Sequence, residues 1–180
     1  MYTLDNTVLL VIDIQGKLAT MMHESDALFS SVSTLIQGMK AMDVPIVWME
    51  QLPDKLGSSI SQVSDLLTPD IEPISKHTFS CCKNSQFMDR FNAINRKQVL
   101  LAGIESHICV YQTGVDLLDQ GCEVQMVADC VSSRTPENRQ LGIDRICQAG
   151  GGVTSVEMIF FELLQKAEGD LFRQVVKLIK

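Results

Sequence analysis

Short continuous apolar runs alternate along the chain with segments in which apolar residues recur every three or four positions. Four such runs and a weaker fifth occupy residues 8–13, 45–49, 98–103, 123–128 and 152–154. Runs of this length without polar alternation are typical of strands buried on both faces of a parallel sheet. They predict five strands, and the first of them ends at the carboxylate of Asp13.

Helical periodicity fills the segments between the runs. It covers residues 27–42, 87–94, 109–119 and 136–149. The sequence Thr154-Ser155-Val156-Glu157 has the form of a capping box, so a further helix is expected over 155–167, with a short amphipathic helix from Asp170. Alternating strands and helices predict the α/β class, as a three-layer α/β/α sandwich with a mainly parallel, doubly wound sheet.

Length, charge and cysteine content limit the number of domains, the partners and the compartment that we expect. The 180 residues, 46% of them hydrophobic, suffice for one core and are few for two, so we expect a single domain over 1–180. A net charge of −7 repels phosphate backbones and argues against a nucleic-acid partner. No apolar run approaches the roughly 20 residues of a membrane span, and no basic leader opens the chain, which predicts a cytoplasmic protein. The six cysteines, two of them adjacent, fit reduced thiols.

Cys109 occupies a distinctive position among these cysteines. Residues 103–110 run from a predicted buried strand through a polar turn into a predicted helix. Cys109 then lies in the first turn of that helix, where the helix dipole favours a thiolate. A free cysteine is more often a small core residue, so the position carries the nucleophile hypothesis.

Two charged residues follow predicted strands in the same way. Asp13 ends the first run, and Lys76 follows a proline within the short segment 74–80. Because ligands bind at the carboxyl ends of parallel strands, Asp13 can meet Cys109 and accept its proton as a general base. Taken alone, an aspartate at a strand end is more often a turn residue and most lysines are solvated, so these residues leave both readings open.

Three motifs in chain order resemble those of the isochorismatase-like cysteine hydrolases. They are Asp13-Ile14-Gln15, the stretch from Lys76 to Ser80, and the elbow from Gly103 to Cys109. The resemblance covers nearly the whole chain. Further segments resemble the isochorismatase domain-containing protein 2 subgroup, namely residues 48–51, 55–57, 116–119 and 129–134.

The resemblance implies a mechanism. Asp13 would deprotonate Cys109, Lys76 would stabilise the charged pair, and the thiolate would attack a carbonyl to form a thioester that water releases. It also implies a cis peptide bond between Ile104 and Glu105, and an oxyanion hole made by the backbone N–H groups of Glu105 and Cys109. The side chain of Glu105 would then be free to vary.

The resemblance also bears on ligands and assembly. Candidate pocket residues for a small-molecule substrate are Gln15, Leu18, Gln51, Phe79 and Ile108. Nicotinamidases of this family carry metal-binding histidines after strand two, but residues 50–56 contain none, so we expect neither a metal nor a cofactor. No ligand or catalytic role is expected of His23, His77 or His107. The apolar stretch 156–161 exceeds what one helix face usually buries, which predicts a homo-oligomer.

Several functions remain open on the sequence. The first is hydrolysis of a small amide, ureide or related C–N bond. Isochorismatases of the same family cleave a vinyl ether instead. A thiol-based redox or stress sensor and a binding module without activity are the alternatives from other classes, because a fold does not guarantee a function.

Overall fold

The computed structural model describes residues 1–179 as a six-stranded sheet flanked by helices. The strands are β1 Thr7–Ile12, β2 Ile46–Gln51, β3 Ile74–Lys76, β4 Gln98–Ile104, β5 Glu123–Ser132 and β6 Gly152–Thr154. The helices are α1 Gly16–Thr20, α2 Ser25–Ala41, α3 Pro53–Leu56, α4 Ser61–Leu67, α5 Ser85–Ile94, α6 Tyr111–Asp119, α7 Pro136–Gln148, α8 Val156–Leu164 and α9 Gly169–Val176. A 3₁₀ turn at Cys81–Lys83 and a π-helical turn at Ser106–Val110 complete the elements.

Both faces of the sheet are covered. In β1, Val8, Leu10 and Ile12 pack into the apolar layer shared with α5, α6 and α7. Leu9 and Val11 pack into the opposite layer, with α2, α8 and α9. Every neighbouring pair of strands is parallel, as expected of strands without polar alternation. The predicted three-layer α/β/α sandwich is confirmed.

The strand order fixes where a ligand can bind. The order is β3-β2-β1-β4-β5-β6, so the chain reverses its direction of travel between β1 and β4. Open parallel sheets bind ligands outside the carboxyl ends of the strands at such a switch point. Asp13 directly follows β1, and the turn that carries Cys109 directly follows β4.

Some element boundaries differ from those that the sequence predicts. The predicted helix over 155–167 ends at Leu164, because Gln165 adopts a left-handed conformation with φ of 59°. Ser155 rather than Thr154 caps α8, since its hydroxyl accepts the Met158 N–H at 3.2 Å. The short helices α1, α3 and α4 were not predicted, because so few residues show no periodicity. No helix within residues 1–179 is both long and apolar enough to cross a membrane.

The apolar stretch 156–161 is divided between two sides of α8. Val156, Ile159 and Phe160 are buried, whereas Met158 is 60% and Phe161 41% exposed. A homo-oligomer stays a prediction, and light scattering at micromolar concentration tests it. We expect a mass of at least twice the 20.0 kDa of one chain, because association would remove these two side chains from water. A monomer would contradict the prediction.

Candidate active site

Close contact between the ends of β1 and β4 brings the Cys109 turn next to Asp13. Gly103 has a φ of 135°, and a Cβ atom there would lie 2.0 Å from the Ile12 carbonyl oxygen, so a larger residue cannot fit. Asp13 has a φ of 56°, a left-handed conformation that aspartate tolerates better than most residues. Its N–H donates to the Met49 carbonyl at 3.1 Å.

Lys76 reaches the same edge from the end of β3. Its side chain is fully buried. Its ammonium Nζ donates to Asp13 Oδ2 at 2.7 Å and to Gln51 Oε1 at 2.5 Å. The carbonyl oxygens of Thr78 and Phe79 accept from it at 3.2 and 3.1 Å. Lys76 therefore forms a buried ion pair with Asp13, and its donors are all directed at protein oxygens.

The two carboxylate oxygens of Asp13 have different surroundings. Oδ2 accepts from Lys76, whereas Oδ1 is buried and has no hydrogen-bond partner among residues 1–179. A buried acceptor without a partner costs about 1–3 kcal/mol, and more when it is charged. Such a group is a candidate for function. Oδ1 is therefore an acceptor available for a proton from a neighbouring group.

Burial controls the acid–base chemistry of Asp13, Lys76 and Cys109, the candidate catalytic trio. Burial raises the pKa of the Asp13 carboxyl above its ordinary value, and the Lys76 ammonium offsets only part of that rise. Burial and the Asp13 charge together raise the pKa of the Cys109 thiol to about 12, although Lys76 lowers it. Burial therefore opposes the thiolate that the helix start was expected to favour at Cys109. Cys109 lies in the π-helical turn before α6 and is 7% exposed, so desolvation disfavours its charged form.

A small cavity of about 110 Å³ is lined by Asp13 and Cys109 but not by Lys76. Its lining is mostly apolar and consists of Asp13, Leu18, Gln51, Leu56, Phe79, Ile104, Glu105, Ile108 and Cys109. Four of the five candidate pocket residues thus reach it. Phe79 is 56% exposed and also lines a larger groove of about 430 Å³ beside α6. Phe79 therefore borders both the cavity and the groove.

The family follows from a comparison with known proteins. The sequence model of one protein family, the isochorismatase domain, matches residues 7–158, which is most of the chain. The chain belongs to the isochorismatase family of hydrolases.

Similar family members span nearly the whole chain. The Secreted isochorismatase effector Isc1 of Phytophthora sojae is 37% identical over 180 residues, covering 97% of this chain and 85% of the relative. Isochorismatase domain-containing protein 2 of Danio rerio is 30% identical over 173 residues, covering 96% and 86%. The solved MAR1 ribonuclease of Caenorhabditis elegans is 30% identical with a TM-score of 0.93, covering 99% and 91%. The resemblance drawn from the motifs is confirmed.

One candidate pocket residue of this isochorismatase-family chain does not line the cavity. Gln15 is buried, and its Nε2 donates to the carbonyl oxygens of Gln51 and Gly57 at 3.2 and 2.7 Å. Its Oε1 accepts the Gln51 N–H at 2.6 Å. All these partners are backbone groups, so Gln15 ties the end of β2 to the following loop. Gln15 is thus not among the residues that line the cavity, and its contact with substrate stays a prediction.

The side chain of Glu105 differs from what the family resemblance implies. The Ile104–Glu105 peptide bond before it is cis, the geometry that the resemblance implies. The side chain, expected to be free to vary, is 7% exposed and lines the cavity. Its Oε2 accepts from both the backbone N–H and the Nε of Arg134, each at 3.1 Å. Sequence reasoning missed this ion pair, because 29 residues separate the two partners.

His107 supports the turn that carries the nucleophile. Its Nδ1 lies 2.9 Å from the hydroxyl oxygen of Ser133, which is itself 2.7 Å from the hydroxyl oxygen of Ser106. Helix α7 packs so closely on this turn that a Cβ atom at Gly142 would lie 2.6 Å from the Ser106 carbonyl oxygen. These contacts position the turn, and His107 is not among the residues that line the cavity.

Removal of metal is expected to leave this isochorismatase-family protein unchanged. Within residues 1–179, no group of three or more His, Cys, Asp or Glu side chains could hold a metal ion. Dialysis against a chelator should therefore leave both the melting temperature and any hydrolase activity at their starting values. Stoichiometric zinc or iron that is lost together with activity would contradict this prediction.

Proposed function

We propose that the protein is a cysteine-dependent hydrolase of a small amide or ureide, acting through a thioester. The observation that carries the proposal is the buried Asp13 Oδ1, which lacks a hydrogen-bond partner among residues 1–179 while Lys76 holds Oδ2, in a residue that lines the same small cavity as Cys109. A thiol whose pKa is about 12 needs such a base, because it is almost entirely protonated at neutral pH.

The reaction proceeds in two halves. As Cys109 Sγ forms a bond to the carbonyl carbon, its proton moves to Asp13 Oδ1. The C–N bond then breaks, the leaving amine takes that proton, and a thioester remains. Water adds to the thioester and gives a proton to Asp13, which passes it to Cys109 as the sulfur leaves, and the acid product is released.

Two further groups would lower the barrier. The Lys76 ammonium keeps Oδ2 occupied, so that Oδ1 is the oxygen that exchanges protons with the thiol. The backbone N–H groups of Glu105 and Cys109 would donate to the oxyanion of the tetrahedral intermediate, as the family resemblance implies. Removing one such donor typically costs about 10²–10³-fold in kcat.

The site fits a hydrolase better than a redox sensor. Redox-sensing cysteines have a low pKa and are exposed, so that an oxidant meets a thiolate. Cys109 is 7% exposed and has its pKa raised to about 12. A protonated, buried thiol beside a base suits a reaction in which substrate binding and proton transfer occur together.

RNA cleavage is a competing function, because the solved Caenorhabditis elegans relative is named a ribonuclease. A net charge of −7 disfavours a polyanion. A cavity of about 150 Å³ holds benzene, so the 110 Å³ here is several times too small for a nucleotide. Incubation with a mixed-sequence RNA under matched conditions is expected to leave the RNA intact.

The test is a screen for amine or ammonia release from small amides and ureides. We expect turnover by the wild type, none by Cys109→Ser, and unchanged turnover by Cys147→Ser, a matched control at an exposed cysteine. Activity that survives in Cys109→Ser would overturn the thioester mechanism and would favour vinyl-ether cleavage, which needs no sulfur nucleophile.

A further inference from the structure

The polar groups that line the catalytic cavity are unusual in their charge. Asp13 and Glu105 are both carboxylates, and no lysine or arginine is among the described residues of the lining. Lys76 is close, but it is fully buried and directs its donors at Asp13, Gln51 and two backbone carbonyls. Each carboxylate is already paired with a cation, Asp13 with Lys76 and Glu105 with Arg134, so an anionic ligand would find no free cation in the described lining.

Glu105 presents an acceptor at this cavity. Arg134 engages Oε2 twice, which fixes the carboxylate, while Oε1 accepts no hydrogen bond from the described part of the chain. The Glu105 residue is 7% exposed, whereas the Arg134 side chain is 53% exposed and does not line the cavity. Solvent screens the charge of the exposed Arg134, whereas the buried Glu105 belongs to the cavity lining.

Gln51 presents a neutral donor on the same wall. Because a lysine ammonium has only donors, the amide oxygen of Gln51 must be the atom that faces Lys76 Nζ at 2.5 Å. The orientation of the amide is therefore fixed. Its Nε2 donates to no group within residues 1–179, and the residue is 7% exposed. Beside the backbone N–H groups of the proposed oxyanion hole, Gln51 thus adds one neutral side-chain donor, and the side-chain acceptors of the lining include two carboxylates.

The volume limits the size of the enclosed group. A cavity of about 150 Å³ accommodates the six heavy atoms of benzene, so 110 Å³ accommodates about four. Acetamide and urea are of this size. A carboxylate such as acetate has the same shape and volume, so charge and hydrogen-bonding direction, rather than fit, would distinguish the two classes.

We propose that Glu105 is a specificity-determining residue, which accepts a hydrogen bond from an N–H of a neutral amide or urea group in the cavity and excludes carboxylates. This inference rests on the proposed function, since it assumes that the enclosed group is the one that Cys109 attacks. It names the substrate class: a molecule whose reacting end is uncharged and carries an N–H.

Two alkylating reagents of nearly equal shape test the proposal without a known substrate. Iodoacetamide carries the neutral amide, and iodoacetate carries the carboxylate. Peptide mapping gives the rate at Cys109 for each reagent, and glutathione gives their intrinsic rate ratio. We expect the amide-to-acid ratio at Cys109 to exceed that of glutathione by about tenfold or more, because a carboxylate in the cavity is repelled by Asp13 and Glu105.

Variants assign the preference to Glu105. Glu105→Gln should reduce the ratio about fivefold or more, because the charge is removed while the shape is kept. Glu24→Gln changes an exposed carboxylate and should leave the ratio unchanged, which controls for the net charge of the protein. If Glu105→Gln fails to fold, protection of wild-type Cys109 by acetamide but not by acetate still decides the question.

The outcomes separate the two proposals. One contrary result is that Cys109 reacts with the same iodoacetamide-to-iodoacetate rate ratio as glutathione, and another is that Glu105→Gln keeps the wild-type ratio. In either case the role assigned to Glu105 is wrong, and Cys109 remains the nucleophile. If Cys109 reacts with neither reagent even at raised pH while exposed Cys147 does, and amide turnover survives in Cys109→Ser, the nucleophile itself is wrong and both proposals fail.

Discussion

Lys76→Met is expected to lower the free energy of unfolding by about 3–5 kcal/mol at neutral pH, because it leaves the buried charge of Asp13 without its partner. The loss should be smaller in acidic buffer, since burial already raises the pKa of Asp13 and a protonated carboxyl needs no counter-ion. Denaturant unfolding followed by circular dichroism gives both values.

Two variants control this experiment. Lys40→Met removes the same side chain from a surface pair with Asp70, whose charged atoms are 2.9 Å apart, and should cost less than about 1 kcal/mol. Adding Asp13→Asn to Lys76→Met removes the stranded charge and should recover most of the lost stability. Equal losses at Lys40 and Lys76, or no recovery in the double variant, would show that the pair is not the buried ion pair described above.

Asp13→Asn is expected to reduce kcat/KM by about 10²–10⁴-fold, because the thiol loses its general base. The wild type needs ionised Asp13, whose pKa is raised by burial, so its kcat/KM should fall as the pH drops through that raised value. In the variant this acidic limb should disappear. A pH profile of kcat/KM for any substrate found in the amide screen measures both effects.

The same variant should also make the thiol more acidic. The Asp13 charge is one cause of the pKa of about 12 at Cys109, and Lys76 remains to stabilise a thiolate. Titration by the ultraviolet absorbance of the thiolate should therefore give a lower pKa in Asp13→Asn than in the wild type. Exposure of Cys109 by unfolding would also lower its pKa, so the variant must first show the wild-type circular dichroism spectrum and melting temperature. An unchanged or higher thiol pKa would contradict the assigned contacts.

The sequence predicted the geometry of the site where fold rules constrain it. Asp13 ends a buried strand, and Cys109 follows a glycine-containing strand end, so both had to lie at the carboxyl edge of a parallel sheet. Lys76 lies in a three-residue strand with no periodicity of its own, and only its family motif distinguished it. The structure brings all three together, and their catalytic roles remain for experiment.

Other features depend on tertiary contacts that no local pattern encodes. The Glu105–Arg134 pair joins two loops that are distant in sequence. Gln15 was placed in the pocket by its motif, although its amide binds backbone groups. The ionisation of Cys109 depends on such contacts as well. A helix start is visible in the sequence, but the desolvation that opposes ionisation depends on the packing around the finished site.

Intact-mass measurement during turnover tests the cysteine-hydrolase account most directly. The wild type, mixed rapidly with an amide or ureide that it hydrolyses and then acid-quenched, is expected to gain the mass of one acyl group. Peptide mapping should place this group on Cys109, and hydroxylamine should release it. Cys147→Ser should behave as the wild type does, and Cys109→Ser should gain no mass. Hydrolysis without any adduct, or with an adduct that persists in Cys109→Ser, would contradict the thioester mechanism.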